Sequence, residues 1–329
     1  MTKKINITTI GGGSGSYSLL SSLRGNENYN LSAIISMSDS GGSTGILREE
    51  FGILPPGDVR RGVMALSEER EIVKQLFDYR YDKDCSVGGH SLGNLIITAM
   101  ADITGSFDTG LKEVCKMFKV KGQVIPVTLE LSHLCVRLEN GQIIKGETNI
   151  DEPKHDSSLR IEHAFLEPEV SANSDALDAL ENSDLIIISF GDLYTSIIPN
   201  LLVKGIPEAI KNSKAKVVYT CNMMTKKGET NGYEVIDFVD AIERYLGTGV
   251  LDYVVVNDGY IHEKLVERYH KLENKKPVKV KDMSVFEGKS YKVLARDLLY
   301  ENEYEQVRYS YEKTADVIAE IVEEINKED

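Results

Sequence analysis

The chain has 329 residues, a length for two domains or one large α/β domain. It is 41% hydrophobic and 27% charged, which excludes a disordered or fibrous chain. Lys and Arg (38) against Asp and Glu (52) leave a net charge of −14, which excludes a broad nucleic-acid groove but leaves room for a pocket that binds one small anion.

The basic start MTKKINITTI reaches a glycine cluster too soon for a secretory signal, and no window holds the roughly 18 apolar residues of a membrane span. Cys85, Cys115, Cys135 and Cys221 are scattered without a C-x-x-C pair, as in a reducing compartment. These features lead us to expect a soluble, cytoplasmic protein.

Residues 5–10 form the first short apolar run and read as a strand. They lead into Gly11-Gly12-Gly13-Ser14-Gly15, with a helix expected to begin near Ser16 or Tyr17. A strand, a tight glycine turn and a helix N-terminus make an anion site, because the backbone can approach a phosphate and the helix dipole favours negative charge. The dinucleotide fingerprint would need Gly where Ser16 stands, and no Walker lysine follows.

A second strand, 31–37, ends in a second loop from Ser38 to Arg48. Asp39 stands where such folds hold a ribose hydroxyl, or else caps a turn. The two loops are expected to face each other across one crevice. After Pro55-Pro56-Gly57, Asp58 is expected to N-cap a helix over 59–66. Arg60 and Arg61 would lie in its first turn, facing an anionic partner or solvent. Ser91 can cap a helix over 92–100 that is apolar on every side and so expected to be buried. His90 and Asn94 at its mouth are candidate ligand contacts. No H-E-x-x-H, Cys/His cluster or G-x-S-x-G elbow occurs, which disfavours zinc and serine-hydrolase chemistry.

Residues 123–129, 134–138 and 142–147 surround Asn140-Gly141, a type I′ hairpin signal, so 120–170 reads as an antiparallel β insertion. Further strands at 185–190, 216–221 and 251–256 alternate with helices at 175–181, 206–211 and 234–245. With the helix at 17–23, this alternation implies βαβ units and a parallel sheet. Val317, Ile318, Ile321 and Ile325 form one stripe of a docked terminal helix. No linker divides the chain, so residues 1–329 are expected to form one α/β nucleotide-binding domain.

GGGSGSYSLLSSLR, SDSGGSTGILRE, LPPGDVRRGVMALS, GGHSLGNLIITAMADITG, GQVIPVTLE, FGDLYTSIIPNLLVKGIPEAI and VVYTCNMMTKKGETNGY occur in the order of a known family. Over residues 5 to 260 the chain resembles the bacterial gluconeogenesis factor (YvcK-like) proteins, which are related to 2-phospho-L-lactate transferase. The last 70 or so residues, an extension from about 260 to 329, carry no motif of that family. The resemblance implies a Rossmann-like three-layer parallel sheet with a β-hairpin insertion and C-terminal helices. It also implies a UDP-sugar such as UDP-N-acetylglucosamine as ligand. The nucleotide would meet Gly11, Gly12, Gly13, Ser14, Gly15, Asp39, Ser40, Gly41, Gly42, Asn94, Gly191 and Tyr194. Arg48, Arg60, His90 and Asn222 would be further phosphate or ligand contacts.

The implied role is regulatory, in cell shape and growth on gluconeogenic carbon sources, through a protein partner and as a homodimer, with no nucleic acid and no membrane insertion. The related transferase moves a phospholactyl group from a guanosine diphosphate donor with Mg²⁺, so Mg²⁺ stays open as a companion ion, with no metal ligand assigned. Asp39-Ser40 stands where Asp-Asp is usual, and Asp192 replaces Ser at a helix start, each altering the charge met by a phosphate. A binding regulator is favoured. The alternative is a transferase with a nucleotide-diphosphate donor, and an NAD-dependent oxidoreductase ranks third because the last fingerprint glycine is missing.

Overall fold

The computed structural model describes residues 4–300 and 306–328. Its apolar runs assemble a seven-stranded parallel sheet from β1 (Ile5–Gly11), β2 (Tyr29–Ile35), β3 (Gln123–Pro126), β7 (Leu185–Ile188), β8 (Lys216–Thr220), β9 (Tyr253–Asn257) and β10 (Lys292–Arg296). The spatial order is β10-β9-β8-β7-β1-β2-β3. Ile186, Ile187 and Ile188 are wholly buried, as are Ile10, Ile34, Val218 and Val254, because helices cover both faces. The chain is therefore an α/β protein of Rossmann-like architecture.

The helices are α1 (Gly13–Leu23), α2 (Gly42–Phe51), α3 (Pro56–Leu66), α4 (Glu71–Asp78), α5 (Leu92–Thr104), α6 (Phe107–Met117), α7 (Glu147–Asp151) and α8 (Ser174–Glu181). They continue with α9 (Ile198–Leu201), α10 (Ile206–Asn212), α11 (Val235–Leu246), α12 (Glu263–Glu273) and α13 (Tyr311–Glu328). The terminal stripe docks as expected: Val317, Ile318 and Ile321 are buried and α13 packs on α1. The extension also supplies β10, which extends the sheet beyond β9.

A smaller antiparallel sheet, ordered β5-β4-β6, is built from β4 (His133–Leu138), β5 (Ile143–Lys145) and β6 (Ile161–Glu167). The insertion is thus shorter than 120–170, because β3 pairs parallel with β2 and belongs to the main sheet. A four-residue edge strand with Val124, Ile125 and Pro126 all buried is too short to show which sheet it joins. The hairpin differs too. Among the turn residues only Gly141 takes a positive φ (85°). Gly141 N–H donates to the Leu138 carbonyl (2.8 Å) and Leu138 N–H donates to that of Gln142 (2.8 Å). This is a three-residue loop, a turn closed by a glycine bulge, where a type I′ turn would need Asn140 at positive φ as well.

Three helix expectations change. The first helix starts at Gly13, so the glycine cluster is its first turn. α3 starts at Pro56, whose ring presets φ and lacks the orphan N–H, and Asp58 lies inside the helix instead of capping it. α5 is capped by Ser91, whose Oγ accepts the Asn94 N–H (3.3 Å), yet it is not buried all round. It packs on α3 and α6 through Gly93, Ile97 and Ala101, while Ile103 is 77% exposed.

Candidate functional site

In an open parallel sheet, ligands sit beyond the carboxyl ends of the strands where the strand order reverses. Here β1 leads to β2 on one side while β7 lies on the other, so the switch point falls between β1 and β7. A crevice of about 1100 Å³ opens there, walled by Gly12 to Gly15, by Gly191, Asp192 and Ser196 after β7, by Asn222 after β8, and by the terminal segment carrying Tyr309. Tyr309 stacks on Phe190 with ring centroids 3.5 Å apart, and its hydroxyl donates to the Cys221 carbonyl (3.1 Å).

Glycines fit the first loop for two separate reasons. A Cβ on Gly15 would stand 2.0 Å from the Phe190 carbonyl oxygen, so α1 reaches the β7 end only without a side chain there. Gly13 turns the chain at φ +63°, where an L side chain is strained. Gly12 at the N-cap has no side chain to cap α1, although the Gly13 N–H is taken by the Asp58 carboxylate. Asn222 Nδ2 donates to the Gly191 carbonyl (2.6 Å), while its buried Oδ1 has no partner. Such an orphaned atom in the crevice wall suits a ligand donor.

The second loop lines a different, smaller cavity of about 390 Å³ together with Gly57, Arg60, Arg61, Asn94, Glu147 and Asp151. The two glycine loops therefore do not share one crevice. The start of α3 stands between them, with Asp58 Oδ2 2.6 Å from where a Gly12 Cβ would be and Asp39 Oδ2 2.6 Å from that of Gly57. Side chains knit the second loop. Asp39 Oδ1 accepts the Gly41 N–H (2.9 Å), and Glu147 Oε2 accepts the Ser40 N–H (3.3 Å). Ser40 Oγ accepts the Thr148 N–H (3.1 Å). Ser43 Oγ accepts from Asn94 Nδ2 (3.2 Å) and lies 2.9 Å from His90 Nδ1.

Carboxylates crowd this region. Burial, and then the charge of Asp39, pushes Asp58 up to about 6 against the opposing pull of Arg61 and the Gly13 N–H. Burial and Asp39 likewise push Glu147 up to about 7. On the seam between the cavities, Lys226 Nζ donates to Asp151 Oδ1 (2.6 Å) and to Asp192 Oδ2 (3.0 Å). Glu229 beside them accepts the Tyr194 N–H (2.9 Å) and the Thr195 hydroxyl (3.1 Å). Burial and Asp192 push it up to about 8.

Fold and site together define a Rossmann-like α/β protein with a glycine-loop crevice at its switch point. The chain belongs to the 2-phospho-L-lactate transferase CofD family, whose pattern matches residues 7–299. It is 39% identical over 324 residues to a protein of Halalkalibacterium halodurans named gluconeogenesis factor, covering 97% of each chain. It is 37% identical over 326 residues to the gluconeogenesis factor of Bacillus subtilis, covering 98% of this chain and 100% of that one. A crystal structure of a Bacillus halodurans protein superposes with a TM-score of 0.90 at 37% identity, over 97% of this chain and 100% of the other.

The expected site residues divide by place. Gly12, Gly13, Ser14, Gly15, Gly191 and Asn222 line the large crevice. Asp39, Gly41, Gly42, Asn94 and Arg60 line the smaller cavity. Arg60 faces neither solvent nor a free anion, because its guanidinium holds Asp78 and Asn94 Oδ1 (3.0 Å). His90 and Ser40 are engaged at the second loop as above. Gly11 lies beneath the first loop, with no room for a Cβ beside Ser189 Oγ. Arg48 is buried and donates to the Ser132 carbonyl, outside both cavity walls. Tyr194 is wholly buried with its hydroxyl 3.2 Å from that of Tyr233, so its backbone N–H, on Glu229, is its tie to the site.

Glu147, Thr148, Asp151, Lys226 and Glu229 were not singled out from the sequence. One signal could have found Glu147, Thr148 and Glu229: Lys-Gly-Glu-Thr-Asn occurs twice, from Lys145 to Asn149 and from Lys227 to Asn231. In both copies a positive-φ glycine, Gly146 (93°) or Gly228 (84°), precedes a glutamate of the site.

Proposed function

We propose that the switch-point crevice holds the diphosphate of a UDP-sugar on the first glycine loop, and that the protein is a cytoplasmic regulator of morphogenesis and of growth on gluconeogenic carbon sources. On this reading the whole chain acts as one nucleotide-binding domain that passes its occupancy to a protein partner, and it works as a homodimer. The observation that carries the reading is the glycine-rich start of α1, where Gly12-Gly13-Ser14-Gly15 line a crevice of about 1100 Å³. Helix N–H groups and the dipole there favour phosphate, and Lys275 and Arg308 also line the crevice. Asn222 Oδ1 is free to accept from the ligand. Binding signals only if the ligand prefers one of two protein states.

A second reading, group transfer from a nucleotide-diphosphate donor, is favoured by the carboxylates of the second loop and of the start of α3. Asp39 and Asp58, whose like charges raise Asp58, are the pair that fits a magnesium ion by charge. When bound, the ion would neutralise charge developing on phosphate oxygens. The chain's own residues would orient it: Gly41 N–H holds Asp39 and Gly13 N–H holds Asp58. Incubation with UDP-N-acetylglucosamine and Mg²⁺, read by mass spectrometry, separates the two. The regulator returns the ligand unchanged. Release of UDP that is lost in Asp39→Ala establishes the transferase instead.

A further inference from the structure

Lys226 ties its own loop to two other parts of the fold. Its ammonium bridges Asp151, at the end of α7 beside the small sheet, and Asp192, in the loop after β7. Glu229 comes from its own loop after β8, and single oxygens of Asp151, Asp192 and Glu229 lie within 4.8 Å of one another. Three carboxylates that close would suit a divalent cation with oxygen ligands at about 2.0–2.6 Å. Instead, the ammonium of a lysine whose side chain is 19% exposed sits on two of them. Burial pulls its proton affinity down, but Asp192, Glu229 and Asp151 outweigh that and hold the ammonium charged. Asp151 belongs to the wall of the smaller cavity and Asp192 to that of the large one.

We propose that Lys226 is a resident cation, which takes the place of a divalent metal ion among Asp151, Asp192 and Glu229 and fastens α7 to the loops after β7 and β8. It also neutralises Asp192, the carboxylate that would otherwise oppose a phosphate at the first glycine loop. The fastening needs no metal, so a chelator leaves the seam closed. Its geometry is independent of which ligand the crevice binds.

The test counts Mn²⁺ bound to the full chain from the free-ion electron paramagnetic resonance signal. Lys226→Met, and Lys226→Gln as a second variant should the first fail to fold, remove the ammonium and leave the three carboxylates. Each is expected to bind one Mn²⁺ equivalent more than the parent. Adding Asp192→Asn to either variant is expected to abolish the extra equivalent, while Lys226→Arg keeps the parent's count. Unchanged Mn²⁺ stoichiometry in both uncharged variants, or an extra equivalent that survives Asp192→Asn, overturns the proposal.

Discussion

The two glycine loops stand at the ends of neighbouring parallel strands, β1 and β2, and share a composition, yet they are held in different ways. The first is held by backbone packing: Gly15 abuts the Phe190 carbonyl, and the start of α1 lines the large crevice. The second is held by side chains, through Asp39, Glu147 and Ser43, and lies among raised carboxylates. A helix start attracts an anion, whereas carboxylates that raise one another attract a cation. Glycine content alone therefore does not make a phosphate cradle. What the neighbouring strands bring to the loop decides it.

The largest expected effect breaks the first loop's packing. Gly15→Ala places a Cβ 2.0 Å from a backbone oxygen that cannot yield, and should cost about 3 kcal/mol or more in denaturant unfolding. Gly42→Ala is the counterpart in the second loop. Gly42 has open space around it and a φ of +44°, so the backbone strain of about 1–2 kcal/mol is the whole cost. Equal losses would mean the two loops are held in the same way.

Gly13→Val comes next, and acts on binding. The branched side chain resists φ +63° and projects at the loop, so UDP-sugar affinity should fall at least a hundredfold in a titration while the far-ultraviolet spectrum stays that of the parent. Asp39→Ala sharpens the contrast from the other side. It should retain UDP-sugar binding in chelator within about threefold and lose about 1.5–3 kcal/mol of Mg²⁺ binding, the range for interactions with a charged group.

The smallest effect is on pH dependence. Asp58, Glu147 and Glu229 are raised to about 6, 7 and 8, so the folded chain takes up these protons before the unfolded chain does. Stability therefore rises as pH falls from above 8 toward 6.5. Below 6.5 His133, lowered by burial and Arg48, begins to oppose the gain. The Tm should be a few degrees higher at pH 6.5 than at pH 8.5, and Glu229→Gln should shrink that difference by raising the pH 8.5 value, because Glu229 takes up its proton inside this window.

Much of this contrast was legible in local sequence. The run Leu185–Ile188 is apolar on both faces, which a covered parallel strand requires, and Ser91 announces its cap. The short run at Gln123 could not reveal its sheet, because an edge strand of four residues pairs equally well either way. β10 carries Lys292 and Arg296 and lacks an apolar run for the same edge-strand reason. The site's second half was hidden by distance. Glu147 reaches Ser40 across 107 positions, and Lys226 reaches Asp151 across 75. The placing of the first loop against β7 follows from strand order, which no local pattern encodes.

The central claim is that an anion is held at the first glycine loop and owes nothing to the second loop's carboxylates. Calorimetric titration of UDP-N-acetylglucosamine into the parent chain and Gly13→Val, each in chelator, tests it most directly. The account predicts saturable binding to the parent without metal and none to the variant. Equal affinity for both chains, or binding by the parent that appears only when Mg²⁺ is restored, would contradict it.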